Sequence, residues 1–362
     1  MRILLLGEYS NVHATLAEGL RALGHEVTVV SNGDFWKDYP RDIDVSRMPG
    51  KLGGLRLMLH LWMLLPKLTG YDIVQLINPM FFELKAKRLF FFYNWLRKHN
   101  RHVVLGAFGM DYYWVHTCTY HSPLRYSDFN IGETIRTDTY AVKEQADWLG
   151  TDKERLNRLI AEDVDAIVTT LYEYHACYAP VFPDKTTFIP LPIRLSSPHL
   201  ESPSEKVRIF IGISKNRSAY KGTDIMMRAA ENIRRQYPDR VQLIKAEGVP
   251  FAQYQQMMDD SDVLLDQLYS YTPSMNSLLA MSKGIVVVGG GEPENYDIIA
   301  EHELRPIINV TPCYDSVYKA LEQLVLHPER LPELKLQSVE YVRRHHDYLK
   351  VARQYERCYL SL

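Results

Sequence analysis

The sequence predicts an α/β protein made of two Rossmann-like, doubly wound parallel-sheet domains that face a cleft. Three observations predict it. Apolar strand signals alternate with helical ones from the second residue onward. The alternation is interrupted once, by a proline- and serine-rich stretch at 189–206, and then restarts and runs close to the end of the chain. A chain of 362 residues is also long for one core, so two domains suit its length.

The elements follow in order. "RILLLG" is a continuous apolar run, the pattern of a strand buried on both faces. Val12, Leu16, Leu20 and Leu23 then fall at helical spacing, and Gly24 is placed to end that helix. Residues 26–31 (EVTVVS), 72–78 (DIVQLIN), 102–108 (HVVLGAF) and 165–170 (DAIVTT) repeat the strand pattern, with helical stretches between most of them. The interruption, "IPLPIRLSSPHLESPSEK", holds four prolines and four serines and reads as a linker. Beyond it, strand patterns recur at 207–213, 241–246, 262–268, 284–290 and 306–310. Ile225, Ala229 and Ile233 mark a helix that stops before Pro238, and the chain closes on a helical segment at 348–362. The reading is an N-terminal domain over 1–190, a linker over 191–206, a C-terminal domain over 207–345, and a terminal helix over 346–362.

Composition narrows the function. A net charge of −2 excludes broad electrostatic binding of nucleic acid. Cys118, Cys177, Cys313 and Cys358 are far apart and form no CxxC pair, which disfavours a zinc site or a disulfide framework and suits a reducing, cytoplasmic setting. The first apolar run is too short for a signal peptide. Residues 52–68 and 84–102 are apolar but carry Arg, Lys or His, so neither meets the rule of about 20 uninterrupted apolar residues for a span. Each reads as an amphipathic helix, either packed on a sheet or resting a basic, aromatic face on anionic lipid at the inner face of the membrane.

The segment "IGISKNRSAYKGTD" (211–224) places Lys215, Arg217 and Lys221 just after a strand, at the carboxyl end where doubly wound sheets bind ligands. Gly212 keeps the strand end open, and Thr223 or Asp224 is placed to cap the following helix. Three cations this close point to an anion such as a diphosphate, since Arg forks onto phosphate oxygens and Lys adds a point charge. In "YTPSMNSLLAMSKG" (271–284), Pro273 suits a helix start, and the free N–H groups of Ser274, Met275, Asn276 and Ser277 suit a second phosphate. "GGGEPEN" (289–295) gives three glycines for close backbone approach to a ligand, but it is no GxGxxG fingerprint, and a Walker lysine motif is absent. In the first half, Asn11 and His13 begin the first helix, either capping it or touching a ligand. Asp111 follows the 102–108 strand, where it suits a sugar hydroxyl. Residues 108–126, rich in Tyr, Trp and His, including Tyr112 and His116, read as an acceptor platform or a packed Ω-loop. "DVD" at 163–165 matches a metal motif on paper, but it sits before a strand and reads as structural, so no metal site is assigned.

These motifs together resemble the large family of retaining GT-B glycosyltransferases that builds bacterial polysaccharides and lipopolysaccharides. "NRSAYKG" is similar to that family's R…KG loop, "LLAMSKGIVVV" to its "LEAMAxGxPVV" unit, "GGGEPEN" to its Gly-Gly…Glu turn, and "GMD" at 109–111 to its "GxD". "VTTLYEYHACYAPVFPDKTTFIPLPI" is similar to the stretch before its linker. The resemblance implies a nucleotide-diphosphate sugar as donor, with no cofactor, and a glycan or lipid-linked acceptor. It implies that Arg217 and Lys221 hold the diphosphate, with the 274–277 helix start on the distal phosphate and Glu292 near the donor sugar. It implies metal-independent transfer of hexosyltransferase type, in which the leaving phosphate oxygen takes the acceptor proton, and a terminal helix (346–362) that packs back on the N-terminal domain. The family's paired glutamates are replaced here by Tyr271 and Leu279. Asp266, Gln267 and Asn276 are the candidates to supply the lost polar contact. That replacement keeps two other readings open, a catalytically silent nucleotide-sugar-binding subunit and a GT-B nucleotide-sugar epimerase.

Overall fold

The computed structural model describes residues 1–201 and 205–362, with the side chains of Lys215 and Phe251 outside the description. In chain order the strands are β1 (Arg2–Leu6), β2 (Glu26–Ser31), β3 (Ile43–Asp44), β4 (Ile73–Leu76), β5 (His102–Ala107), β6 (Asn130–Ile131), β7 (Thr134–Ile135), β8 (Ala166–Thr169), β9 (Thr186–Phe188), β10 (Val207–Ile213), β11 (Val241–Glu247), β12 (Val263–Leu265), β13 (Val286–Gly289) and β14 (Ile308–Asn309). Each strand expected from an apolar run is present, while the short strands β3, β6, β7 and β9 carry no such run.

The chain divides into two compact units. The first comprises Met1–His121, Glu144–Pro192 and Tyr348–Leu362, and the second comprises Ser122–Lys143 and Ile193–Asp347. The sequence-based boundaries at 190–191 and 345–346 differ from this division: the units change over after Pro192 and after Asp347, and Ser122–Lys143 packs with the second unit. Residues 202–204 of the expected linker lie outside the described residues.

The first unit holds a seven-stranded sheet in the order β3-β2-β1-β4-β5-β8-β9, with every pair parallel. Ile3 registers with Val27 on one side and Ile73 on the other. Helices cover both faces of a parallel sheet, which is why β1 is a continuous apolar run after Arg2 and why even Gln75 of β4 and Thr169 of β8 are buried. The last helix, Tyr348–Leu360, belongs to this unit. It sets Val351, Ala352, Tyr355 and Tyr359 into the core formed by Ile3, Leu5, Leu16 and Leu20. Gly19 permits the approach of that helix, because a Cβ there would stand 2.7 Å from Ala352 Cβ and 2.8 Å from the Tyr348 carbonyl oxygen.

The second unit holds a five-stranded parallel sheet in the order β11-β10-β12-β13-β14. Val207, Ile209 and Ile211 of β10 alternate onto the face covered by Met226, Ala229, Ala230 and Ile233 of the Thr223–Gln236 helix. At the amino end of the sheet, buried Asp262 accepts from Arg208 (3.1 Å) and Lys335 (2.8 Å). Burial pushes its carboxyl up, but these partners outweigh burial and leave it below the usual carboxylate range.

Candidate functional site

In the second unit, β10 runs into a one-turn helix at Lys215–Arg217, a short helix at Ser218–Lys221, and Gly222. Gly222 has φ +71°, and a Cβ there would meet Leu268 Cβ at 2.5 Å, so both conformation and space require glycine. The next helix starts at Thr223 with Gly222 as its N-cap and no side-chain cap. This corrects the expected capping by Thr223 or Asp224: Thr223 Oγ1 is instead within hydrogen-bond distance of Ser218 Oγ (2.9 Å). The expected Lys215 contact lies outside the described residues. Gly212 is closed by Tyr254, whose ring would stand 2.7 Å from a Cβ there, rather than open to a ligand.

Arg217 lies with its guanidinium 4.8 Å from the Tyr140 ring centre and 5.5 Å from that of Tyr220, and its buried Nε has no hydrogen-bond partner. Lys221 faces Asp266 at the carboxyl end of β12. Burial raises the Asp266 carboxyl, against the pull of Ser277, Lys221 and Ser274. Fold and charge thus bring together Lys221, Asp266 and the start of the Met275–Ser282 helix, whose N-cap is Ser274 with no side-chain cap bond. The Asn276 amide donates to Tyr254 OH (3.1 Å). Gln267 comes close to the glycine run, its carbonyl oxygen 3.3 Å from where a Gly289 Cβ would lie.

The glycine run serves a different purpose from the one expected. A Cβ on Gly290 would lie 2.2 Å from the Ser270 carbonyl oxygen, and one on Gly291 2.8 Å from Ile307. The space beside both is filled by protein, so these glycines allow two loops to pack. Glu292 follows them and is buried. Its Oε2 accepts from Arg125 (2.8 Å) and its Oε1 from the Tyr126 hydroxyl. Arg125 also forks onto Glu294 (2.5 and 3.1 Å), which holds the Glu294 carboxyl below its ordinary range. The Arg125 backbone N–H donates to Tyr271 OH (2.6 Å), and the Tyr126 and Tyr271 rings lie 4.8 Å apart. Burial pushes the Tyr271 hydroxyl up to about 12.

Arg125 and Tyr126 come from Ser122–Lys143, which sequence reasoning did not place here. The segment folds as the β6–β7 hairpin, with Gly132 at φ +57° in the turn. Buried Arg136 donates to the carbonyls of Ala219 (2.9 Å) and Tyr220 (3.0 Å), and its guanidinium lies 3.6 Å from the Tyr269 ring centre. The one sequence signal was "NIGET", a glycine turn between β-branched residues.

In the first unit, the expected site residues are used mainly for structure. His13 is fully buried. Its Nδ1 donates to the Gly7 carbonyl (2.8 Å) and its Nε2 accepts from the Gln75 amide (3.1 Å), whose oxygen accepts from Tyr359 OH (2.7 Å). Burial takes the His13 pKa down to about 3. Asp111 is also fully buried and caps the Tyr112–Tyr120 helix, accepting from Trp114 N–H (2.9 Å) and Tyr178 OH (2.8 Å). Burial pushes its carboxyl up to about 7 against those bonds. Residues 112–120 of the expected platform (108–126) form that helix, so it is not simply an Ω-loop. Tyr112 and His116 stack one turn apart on it, 5.1 Å between rings. Asn11 is the N-cap of the first helix at φ 72°, with its Oδ1 buried and without a hydrogen-bond partner.

Sequence reasoning also missed a pocket of 690 Å³ at the carboxyl ends of β1, β2 and β4. Its walls include Glu8, Asn32, Asn78, Phe81, Phe82 and Trp148, and Asn11, Tyr112 and His116 are not among its lining residues. Glu8 caps the first helix through Ala14 N–H (2.8 Å) and His13 N–H (3.3 Å). Burial still pushes its carboxyl up to about 8. The loops entering the pocket hold Ser10, Asn11, Asp34 and Phe35 at positive φ, strain of a kind that gathers at functional sites. A hollow of 760 Å³ in the second unit lies at the other end of its sheet, at the starts of β10 and β11. It is an open basic surface, and Arg208 in its wall is already engaged by Asp262.

No protein-family model matches the sequence, and no curated protein matches it. Solved structures do match. Sucrose-phosphate synthase from Thermosynechococcus elongatus superposes with a TM-score of 0.63 at 14% identity, covering 100% of this chain and 98% of that one. HepE of Anabaena, solved in complex with UDP and glucose, gives 0.61 at 14% identity over 100% of both chains. A putative UDP-N-acetylglucosamine 2-epimerase from Listeria monocytogenes gives 0.55 at 12%, over 97% and 93%. The chain has the GT-B fold.

Proposed function

We propose that the protein is a glycosyltransferase that moves a sugar from a nucleotide-diphosphate sugar to a hydroxyl of a glycan or lipid-linked acceptor, with retention and without a metal ion. The observation that carries this reading is the loop after β10, which carries Arg217 and Lys221, with Lys221 and the Ser274–Ser277 helix start meeting at Asp266 at the carboxyl end of β12, in a chain with the fold of a protein solved with UDP and glucose.

As the glycosidic bond to the donor breaks, negative charge grows on the leaving diphosphate. Arg217 and Lys221 stabilise that charge, and the free N–H groups of the helix start hold the distal phosphate. The acceptor hydroxyl must sit against the anomeric carbon, and its proton passes to the departing phosphate oxygen. No strong protein base is then needed. The proposal leaves His13 and Asp111 out of the chemistry, because their polar atoms are committed inside the first unit. The pocket in the first unit suits the acceptor: Phe81, Phe82 and Trp148 offer faces for sugar rings, while Asn32 and Asn78 offer amides.

An anionic lipid surface suits the same unit. Leu52, Leu55, Leu59, Trp62 and Met63 are all exposed and recur at helical spacing along Gly53–Leu64 and the residue before it, and Phe91 stacks on Trp62 at 4.7 Å. Residues 45–71 contain Arg47, Lys51, Arg56 and Lys67 and no acidic residue. Phe92 is buried and Arg97 pairs with Asp163 and Asp165, so neither belongs to this surface. Among the described residues no helix is long and apolar enough to cross a membrane.

The donor is identified by thermal shift with UDP, GDP, ADP and CMP and their sugars, since a ligand of the folded state raises apparent stability. A shift with one nucleotide and its sugar supports the reading, and no shift with any contradicts it. The 2-epimerase neighbour motivates one control, incubation of UDP-N-acetylglucosamine without acceptor. A changed sugar there would favour epimerisation over transfer.

A further inference from the structure

We infer that the Ser122–Lys143 segment is a fixed positioning strap for the two diphosphate-binding cations, with Tyr140 aiming Arg217 and Arg136 setting the loop that carries Lys221. The inference rests on the donor-site reading above and adds to it residues that make no contact with the donor themselves.

The strap is seated as core. Ser127 and Phe129 are fully buried, and Tyr126 and Arg136 nearly so. Its two arginines grip two different loops of the same sheet edge. Arg125 takes Glu292 and Glu294 after β13, and Arg136 takes the last carbonyls before Lys221. Those carbonyls belong to a helix of four residues, Ser218–Lys221, which has too few internal hydrogen bonds to fix its own end. Arg136 supplies two further bonds there, both from Nη2, while its Nη1 donates to the Ser127 carbonyl within the strap (3.2 Å), so one planar guanidinium ties strap and loop together, which the single ammonium of a lysine cannot reproduce. Asp138 makes an ion pair with the same Nη2 (3.1 Å), and the Tyr269 ring centre lies 3.6 Å from the guanidinium.

Arg217 shows the second half of the device. Among its contacts are two ring faces, Tyr140 from the strap and Tyr220 from the loop. A guanidinium held over aromatic faces is positioned without losing its charge, and its donors stay directed by the ring planes. Its buried, unpartnered Nε shows that the chain itself does not satisfy this cation fully.

The test compares the binding of UDP, GDP and ADP with that of the matching nucleosides, by calorimetry. The diphosphate reports on Arg217 and Lys221, whereas the nucleoside does not. For the diphosphate that the wild type binds, Tyr140→Leu is expected to weaken affinity about tenfold, as the loss of a partly desolvated cation–π contact does, and to leave nucleoside affinity unchanged. Tyr140→Phe keeps the ring and keeps wild-type affinity. Arg136→Lys keeps the charge, loses the joint hold on Ser127 and the loop, and weakens diphosphate binding alone. Wild-type diphosphate affinity in Tyr140→Leu overturns the inference. So does an equal loss of nucleoside and diphosphate binding, which would mark the strap as general support. Failure of the underlying reading looks different: Arg217→Ala would bind the diphosphate as tightly as wild type.

Discussion

Removing one hydroxyl, Tyr126→Phe, probes how firmly the strap holds Glu292. The ring keeps its place 4.8 Å from Tyr271, so packing is preserved and one hydrogen bond to a buried carboxylate is lost. Hydrogen bonds to charged groups contribute about 1.5–3 kcal/mol, and Glu292 is only 6% exposed, so little water is available to replace the lost donor. A loss of about 2 kcal/mol in a unit of this size lowers its Tm by roughly 4–8 °C. Arg125→Ala should cost less, about 1 kcal/mol, because the Arg125 side chain is 56% exposed and solvent screens the pair. The assay is urea and thermal unfolding of Tyr126→Phe, Arg125→Ala, Glu292→Gln and the double variant Tyr126→Phe/Glu292→Gln. The double variant should lose roughly 1–2 kcal/mol less than the sum of the single losses. A Tm for Tyr126→Phe equal to wild type, or strict additivity in the double variant, would refute this account of Glu292.

Three other outcomes follow from the same geometry. Burial pushes the Glu301 carboxyl up, but His345 (2.6 Å), two backbone N–H groups and Arg344 outweigh it and bring it down to about 2. Its contribution is therefore present above about pH 4.5 and lost as pH falls toward 2. Glu301→Gln should lower stability by roughly 3 kcal/mol at pH 7 and by little near pH 2, and an equal loss at both pH values would count against the assignment. Activity should survive EDTA, because Arg217 and Lys221 supply the charge a divalent ion would; loss on chelation that Mg²⁺ or Mn²⁺ restores would contradict this. Co-sedimentation should show binding to anionic vesicles at low salt, weakened by high salt, and reduced in Leu59→Ser/Trp62→Ser; equal failure to bind anionic and neutral vesicles would leave the exposed helix face without a lipid role.

Much of the fold was legible, because a strand covered on both faces leaves a continuous apolar run, as in "RILLLG" and "VRIFIGI". The return of the last helix was expected from the family resemblance, and Val351, Ala352, Tyr355 and Tyr359 form the apolar face it buries in the first unit. The basic loop could also be found, since Arg217, Lys221 and Gly222 are neighbours in the chain. What stayed hidden depends on partners remote in sequence. Arg125 and Glu292 are 167 positions apart, and no local pattern announces their pairing. His13 and Asp111 carry the residue types of a catalytic site, yet Gln75 and Tyr178 turn them into satisfied core groups. Gly290 and Gly291 read as ligand-facing because the Ser270 carbonyl and Ile307, which occupy that space, cannot be seen from a glycine run.

The central claim is that Arg217 and Lys221 stabilise a departing nucleoside diphosphate. The most direct measurement is release of that diphosphate from the nucleotide sugar that the thermal-shift screen selects, by wild type, Arg217→Ala and Lys221→Ala, with unfolding curves recorded for each. The account predicts that each substitution slows release about 10²–10³-fold, equivalent to about 2.7–4 kcal/mol of transition-state stabilisation, while the unfolding transition stays in place. Near-wild-type turnover by both variants would contradict it.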